Sequence, residues 1–367
     1  MDNILVTGGA GFIGANFIHY WTKKHQLDQI VVLDTLTYAG RQSSINSLIN
    51  QNKITFIHGD ICNRDLVKNL FEQYQFDTVV HFAAESHVDR SIVQPDAFIR
   101  TNILGTHVLL AAALETWRDN FEGKRFHHIS TDEVYGDLGP DDSAFTESTP
   151  YAPRSPYAAS KASSDLLVRA YNITYGLPVT ISNCSNNYGP YQFPEKLIPL
   201  MLINALEGKA LPVYGDGSNV RDWLFVEDHC IAIDMILNDG KIGETYNVGG
   251  ENEIINLDLV RELCRQIDAR FSADDALAKR FPNSAPARGK ESESLICFVK
   301  DRPGHDRRYA INPGKIAADL SFHPQVGFTQ GLSITLDWYL NNEPWWRSIL
   351  SGEHLEWIKR QYGDVNA

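Results

Sequence analysis

Cysteine is sparse and unpatterned in this chain. Its five residues, Cys62, Cys184, Cys230, Cys264 and Cys297, are odd in number, scattered and never spaced as CxxC. That disfavours a disulfide framework and a zinc site, and leads us to expect reduced thiols in a cytoplasmic protein. Long apolar runs are also missing: "VLLAAAL" near Val108 comes nearest and is too short for a membrane span. The opening "MDNILVTGG" has neither the basic region nor the apolar core of a secretory signal, so it reads as a first strand. Positive charge is in deficit, with 33 Lys and Arg against 46 Asp and Glu and a formal net charge of −13. Nucleic acid and anionic membrane are therefore poor partners. A small anionic ligand needs only a local cluster of cations, and "VKDRPGHDRRYA" offers Arg302, His305, Arg307 and Arg308. By itself such a run is more often a solvated face. Internal repeats and low-complexity tracts are absent.

What is present is the texture of a globular α/β protein, 43% hydrophobic over 367 residues. Short β-branched runs, "NILVT", "IVVLD", "ITFIHGD", "DTVVHFAA" and "FHHIST", alternate with helical patterns over 12–23, 64–74 and 95–117. Nearly continuous apolar strands of this kind predict a Rossmann-type, doubly wound parallel sheet with helices on both faces. "SPYAASKASSDLLVRAYNITYGLP" predicts a helix capped by Ser155, with Pro156 in its first turn and Gly176 and Pro178 as its stop. "VTISN" then reads as another core strand. Beyond Cys184, Pro, Gly and aromatic loops become more frequent, which predicts a smaller interleaved lobe. The expected division is a dinucleotide-binding domain over 1–183, with parts of 220–250 returning to it, and a substrate lobe over 184–340. The polar stretch 269–293 reads as an irregular surface excursion.

"VTGGAGFIG" places Gly8, Gly11 and Gly14 between the first strand and the first helix. Glycines there allow a tight turn and a close approach of backbone to a pyrophosphate at the helix N-terminus. A bare glycine-rich turn is the bland alternative, disfavoured by the strand before it and the helix after it. Asp34 ends the second strand, where a carboxylate accepts from ribose hydroxyls and repels a 2′-phosphate, favouring NAD over NADP. Arg41 lies near enough in sequence to count against that preference. Tyr157 and Lys161, four apart, share one helix face. An ammonium and an oxidised nicotinamide would both favour the phenolate, making Tyr157 a base during hydride transfer. YxxxK alone more often marks an exposed helix face, so its meaning comes from the glycine motif upstream.

TGGAGFIG, a strand-end Thr and YxxxK together resemble the extended short-chain dehydrogenase/reductase superfamily. "LDTLTYAG", "HFAAESHVDRSI", "ISTDEVYG", "SPYAASKASSD", "SNNYGPYQFPEKLIPL", "GSNVRDWLFVEDH" and "DRPGHDRRYAI" narrow the resemblance to its dTDP-glucose 4,6-dehydratase family, over roughly residues 3–311. Thr35 departs from the lysine expected in many members.

The resemblance implies a hydro-lyase whose recycled NAD oxidises carbon 4 of a nucleoside-diphosphate glucose and later reduces carbon 6. Glu133 would remove the carbon 5 proton, Asp132 would protonate the departing 6-hydroxyl, and Thr131 would hold the carbon 4 oxygen. It places Phe12, Ile13, Thr37, Asp60, Ile61, Phe82, Ala83, Ala84 and Ser86 with the glycines around NAD. It assigns Asn183, Glu195, Lys196, Leu197, Pro212, Tyr214, Arg221, Asn256, Arg302 and His305 to the nucleotide diphosphate. Ser86 and His87 would face the sugar, although His87 reads equally as a polar loop residue and Tyr214 equally as core packing. A guanidinium grips phosphate through two bonds, so Arg221 and Arg302 have the strongest physical case. A homodimer packed through helices 95–117 and 155–175 is implied, and no metal. Thymine and uracil nucleotides are not told apart. The rival readings are a nucleotide-sugar 4-epimerase, which needs no acid–base pair, and a non-catalytic NAD-binding regulatory protein, against which the full residue set argues.

Overall fold

In a computed structural model, residues 2–301 and 306–350 are described. The sheet has seven parallel strands. From one edge to the other they run Thr245–Val248, Val179–Cys184, Arg125–Thr131, Thr78–His81, Asn3–Thr7, Gln29–Asp34 and Thr55–His58. The order reverses between Asn3–Thr7 and Thr78–His81, which opens a crevice at the carboxyl ends of these two strands. Successive residues of a strand face opposite sides of the sheet, and the core divides accordingly. Leu5 joins Phe71, Leu109 and Trp117 on one face, while Ile4 and Val6 join Phe17, Ile18 and Trp21 on the other.

The helices form where the pattern places them, at Phe12–Lys24, Arg64–Tyr74 and Pro156–Tyr175. The last begins with the Ser155 side chain accepting from the Ala158 N–H, a cap worth about 1 kcal/mol. It ends at Gly176, whose φ of 72° is the left-handed cap conformation. The helical stretch Pro95–Trp117 contains a π-helical turn, Ile99–Gly105. At 23 residues it is long and apolar enough to cross a bilayer by length and composition, which the short run "VLLAAAL" did not reveal. Its inward residues, among them Val108, Leu109, Ala113 and Trp117, pack against the sheet.

Downstream, Val220–Phe225 pairs with Asn186–Tyr188 and Glu253–Ile255, and Leu211–Tyr214 pairs with Ile296–Val299. These elements cover a separate apolar cluster that includes Leu202, Leu206, Leu259 and Leu332. The stretch 269–293 is not an irregular excursion. The helix Asn256–Ala273 runs into it, a second helix Asp275–Arg280 follows, and Phe271, Leu277 and Phe281 are buried in that cluster. Three well-placed apolar side chains anchor the segment, and the surrounding polar residues hid them.

Candidate active site

The crevice deepens into a cavity of about 540 Å³, closed on its far side by the later part of the chain. The glycine turn forms its floor. Gly8 has a φ of 71°, and a Cβ there would sit 2.5 Å from the backbone nitrogen of Ala83. A Cβ on Gly14 would sit 2.4 Å from the Gly8 carbonyl oxygen. Only glycine fits either place. Asp34 stands at the rim, buried, with Oδ2 accepting from the Ala10 N–H at 2.9 Å and Oδ1 from the Leu36 N–H at 2.8 Å. Each oxygen keeps acceptor capacity for hydroxyls of a ribose. Arg41 does not approach this carboxylate from the cavity: its guanidinium lies over the Phe193 ring, 5.7 Å from the centroid. The glycine cradle and the fixed carboxylate fit a dinucleotide.

Deeper in, the strand Arg125–Thr131 ends and the chain turns through a short helix, Asp132–Tyr135. The Thr131 hydroxyl donates to Asp132 Oδ1 at 3.2 Å and accepts from the Glu133 N–H at 3.3 Å. Asp132 is buried and its Oδ2 has no hydrogen-bond partner. Burial, and then the neighbouring Glu133 carboxylate, hold its pKa well above the usual carboxylate range. Burial and the adjacent carboxylate thus favour its protonated form.

Tyr157 and Lys161 reach the same place from their helix, and both are buried. Lys161 Nζ donates to the Ile129 carbonyl at 2.7 Å and lies 3.3 Å from His128 Nε2. Burial pulls its pKa down to about 8. Burial also pushes the Tyr157 hydroxyl well above its ordinary value; Glu133 adds to this, and a hydrogen bond with Thr131 offsets part of it.

The predicted cofactor residues all line the cavity, and so do Ser86, His87, Glu195, Lys196, Leu197, Pro212, Tyr214, Arg221 and Asn256. His87 is buried rather than a loose loop residue, with Nε2 3.9 Å from Glu195 Oε2. Arg90 approaches the same carboxylate at 3.5 Å and covers the Tyr38 ring at 3.6 Å. Burial raises Glu195 to about 7. Arg221 spends donors on the carbonyls of Val220 and Asp306 and stacks 4.5 Å from the Tyr309 ring centroid.

Asn183 is a correction. It lies inside the fully buried strand Val179–Cys184, off the cavity, and its Nδ2 donates to Tyr151. The wall begins only where the strand ends, and Asn186 and Asn187 stand there instead. The doubled asparagine directly after the strand was the available signal. Tyr309 also lines the cavity and was not anticipated in a site role. Arg302 and His305 lie outside the described residues. Among the described residues, no cluster of His, Cys, Asp or Glu could hold a metal.

The profile of the GDP-mannose 4,6 dehydratase family matches residues 5–335. The dTDP-glucose 4,6-dehydratase of Salmonella typhimurium is 51% identical over 371 residues, 98% of either chain. The dTDP-glucose 4,6-dehydratase of Streptomyces venezuelae, solved with NAD bound, superposes with a TM-score of 0.82. It is 44% identical, and the match covers 95% of this chain and 99% of that one. A UDP-glucose 4-epimerase of Thermotoga maritima is more distant, at 25% identity and a TM-score of 0.78, with 93% and 99% covered.

Because the lowered Lys161 value burdens the folded state, its cost is full below pH 8, eases as pH rises, and is gone above about 10.5. Lys161→Met lifts that burden, worth up to about 3 kcal/mol at pH 7, but leaves the Ile129 carbonyl and Asp165 without their cation. Its stability relative to wild type is therefore expected to be more favourable at pH 7 than near pH 10. Urea unfolding at the two pH values should show that difference, and its absence would mean that burial does not lower Lys161. A variant less stable at pH 7 would mean that the ammonium's hydrogen bonds outweigh its burial.

Proposed function

Since the chain belongs to the GDP-mannose 4,6-dehydratase family and, within it, to the dTDP-glucose 4,6-dehydratases, we propose that it dehydrates dTDP-glucose to the 4-keto-6-deoxy sugar. The protein is an NAD-dependent hydro-lyase. The observation that carries this reading is the buried Asp132 carboxyl, which stands beside Glu133 in the cavity that Tyr157 and Lys161 enter.

Bound NAD supplies the hydride acceptor for carbon 4, the later donor to carbon 6, and one positive charge beside the sugar. Tyr157 takes the proton of the carbon 4 hydroxyl. Burial, and then the Glu133 carboxylate, oppose its ionisation. The phenolate therefore depends on the Thr131 hydrogen bond and on positive charge nearby, including that of Lys161. Once carbon 4 is a ketone, the carbon 5 proton is acidic, and Glu133 removes it. Asp132 gives its proton to the departing 6-hydroxyl, which leaves as water. Glu133 then returns a proton to carbon 5.

We divide the molecule into an NAD-binding domain over 1–183, joined by parts of 220–250, and a sugar-nucleotide lobe over 184–340. The pairing of Thr245–Val248 with Val179–Cys184 supports the return. Ser86, His87, Glu195, Lys196 and Arg221 enclose the sugar and diphosphate in this reading, and Pro212, Tyr214 and Asn256 the nucleoside. We also place the protein in the cytoplasm, since its five thiols are unpaired. Two copies pack through the helices Pro95–Trp117 and Pro156–Tyr175, whose exposed Ile99, Leu104, Leu166 and Ile173 form an apolar surface. Sedimentation equilibrium is expected to give twice the mass of the chain.

Glu133→Gln is expected to lower deoxy-sugar formation by about 10²–10⁴ while leaving NAD binding intact. The reaction itself is tested by label. dTDP-glucose carrying deuterium at carbon 4 should give a product with deuterium in its methyl group, and unlabelled substrate in heavy water should gain deuterium at carbon 5. Deuterium returned to carbon 4, with no methyl group formed, would make the protein an epimerase.

A further inference from the structure

Tyr157, Lys161, Asp165 and Arg169 stand at four-residue intervals along one helix, so they form a row down one face. The row starts at the cavity with Tyr157 and ends at the half-buried Arg169. Asp165 is completely buried and is not a lining residue of the cavity. A buried carboxylate persists only with compensation, and this one finds it at Oδ2, while Oδ1 makes no hydrogen bond. Its Oδ2 accepts from the Ser130 hydroxyl at 2.8 Å and the Tyr151 hydroxyl at 2.9 Å. Its Oδ1 lies 3.2 Å from His128 Nε2, which in turn lies 3.3 Å from Lys161 Nζ. Arg169 Nη2 donates to the Tyr151 hydroxyl at 2.9 Å, with its guanidinium 4.9 Å from the centre of that ring.

We propose that Asp165 is a positioning residue for catalysis: it is the buried counter-ion that keeps Lys161 an ammonium, and through Lys161 it sets how readily Tyr157 becomes a phenolate. Tyr151 and Arg169 hold Asp165 in its charged form from the outer side. This deepens the dehydratase reading and rests on it for the role of Tyr157 as base.

The other titratable groups around the pair leave Asp165 to carry the balance. His81 and His128 are pushed well below the ordinary histidine value by burial and are neutral. Cys184 is pushed up to about 12, and Tyr135 and Tyr151 are raised, all chiefly by burial. Asp165 itself is raised to about 6 by burial, with Lys161 and its hydrogen bonds working the other way. Lys161 titrates at about 8, with Asp165 the largest influence holding it up. Between roughly pH 6 and pH 8 both members are charged, and in that window Tyr157 has an ammonium one helical turn below it.

The test reads the ionisation of Tyr157 directly. Ultraviolet absorbance of the NAD-bound enzyme, without sugar, is followed against pH for the wild type and for Tyr157→Phe, and the difference assigns the Tyr157 transition. Asp165→Asn is expected to move that midpoint upward by about one pH unit, leaving about tenfold less phenolate at neutral pH. Asp165→Glu, which keeps the charge, is expected to stay near the wild-type midpoint. Tyr151→Phe, which removes one donor and keeps the carboxylate, is expected to give a smaller upward shift, and it carries the test if Asp165→Asn does not fold. A midpoint unmoved in Asp165→Asn or Tyr151→Phe, or an equal shift in Asp165→Glu and Asp165→Asn, overturns the proposal alone. No transition assignable to Tyr157 overturns the base reading together with it.

Discussion

The hydrogen bond from Lys161 Nζ to the Ile129 carbonyl fastens the two elements that carry the chemistry. One is the helix that presents Tyr157; the other is the strand whose end delivers Thr131, Asp132 and Glu133. In a buried place an ammonium gives this bond far more strength than in water, and leaving either partner unmet would be costly. The rest of the catalytic geometry follows from that tie. Thr131 meets Asp132 because the strand ends there, and Tyr157 meets Thr131 because the helix is pinned one turn further on.

The cavity sets its two adjacent carboxyl groups apart by environment. Asp132 and Glu133 are neighbours in sequence, yet the first is wholly buried with an oxygen lacking a partner. Repulsion from Glu133 then adds to burial in favouring the protonated form of Asp132. Two identical functional groups thus stand in different surroundings one residue apart.

The sequence made legible the sheet, the glycine cradle and the meeting of Thr131, Asp132, Glu133, Tyr157 and Lys161 in one cavity, since each carries a local signal: alternation of strand and helix, glycine spacing, a cap and a stop. It was less informative where placement depends on long-range packing. Asn183 has the right chemistry for a ligand, but the strand containing it is buried on both sides, and strand phase cannot be read from an unbroken buried run. Phe271, Leu277 and Phe281 failed to signal helix because polar residues between them broke the period. Asp165 carries no local signal in the sequence, and only its burial against His128 and Tyr151 gives it meaning.

The edge position of Thr245–Val248 matters for how the chain is made. Its partner strand, Val179–Cys184, leaves the ribosome about sixty residues earlier. At about 5–20 residues per second, the outer edge of that apolar strand stays open for several seconds. Its edge groups can then pair with another nascent chain as readily as with their own strand. The interleaving that encloses the cavity thus ties completion of the sheet to synthesis of the later part of the chain, and lengthens the interval in which that edge stands open.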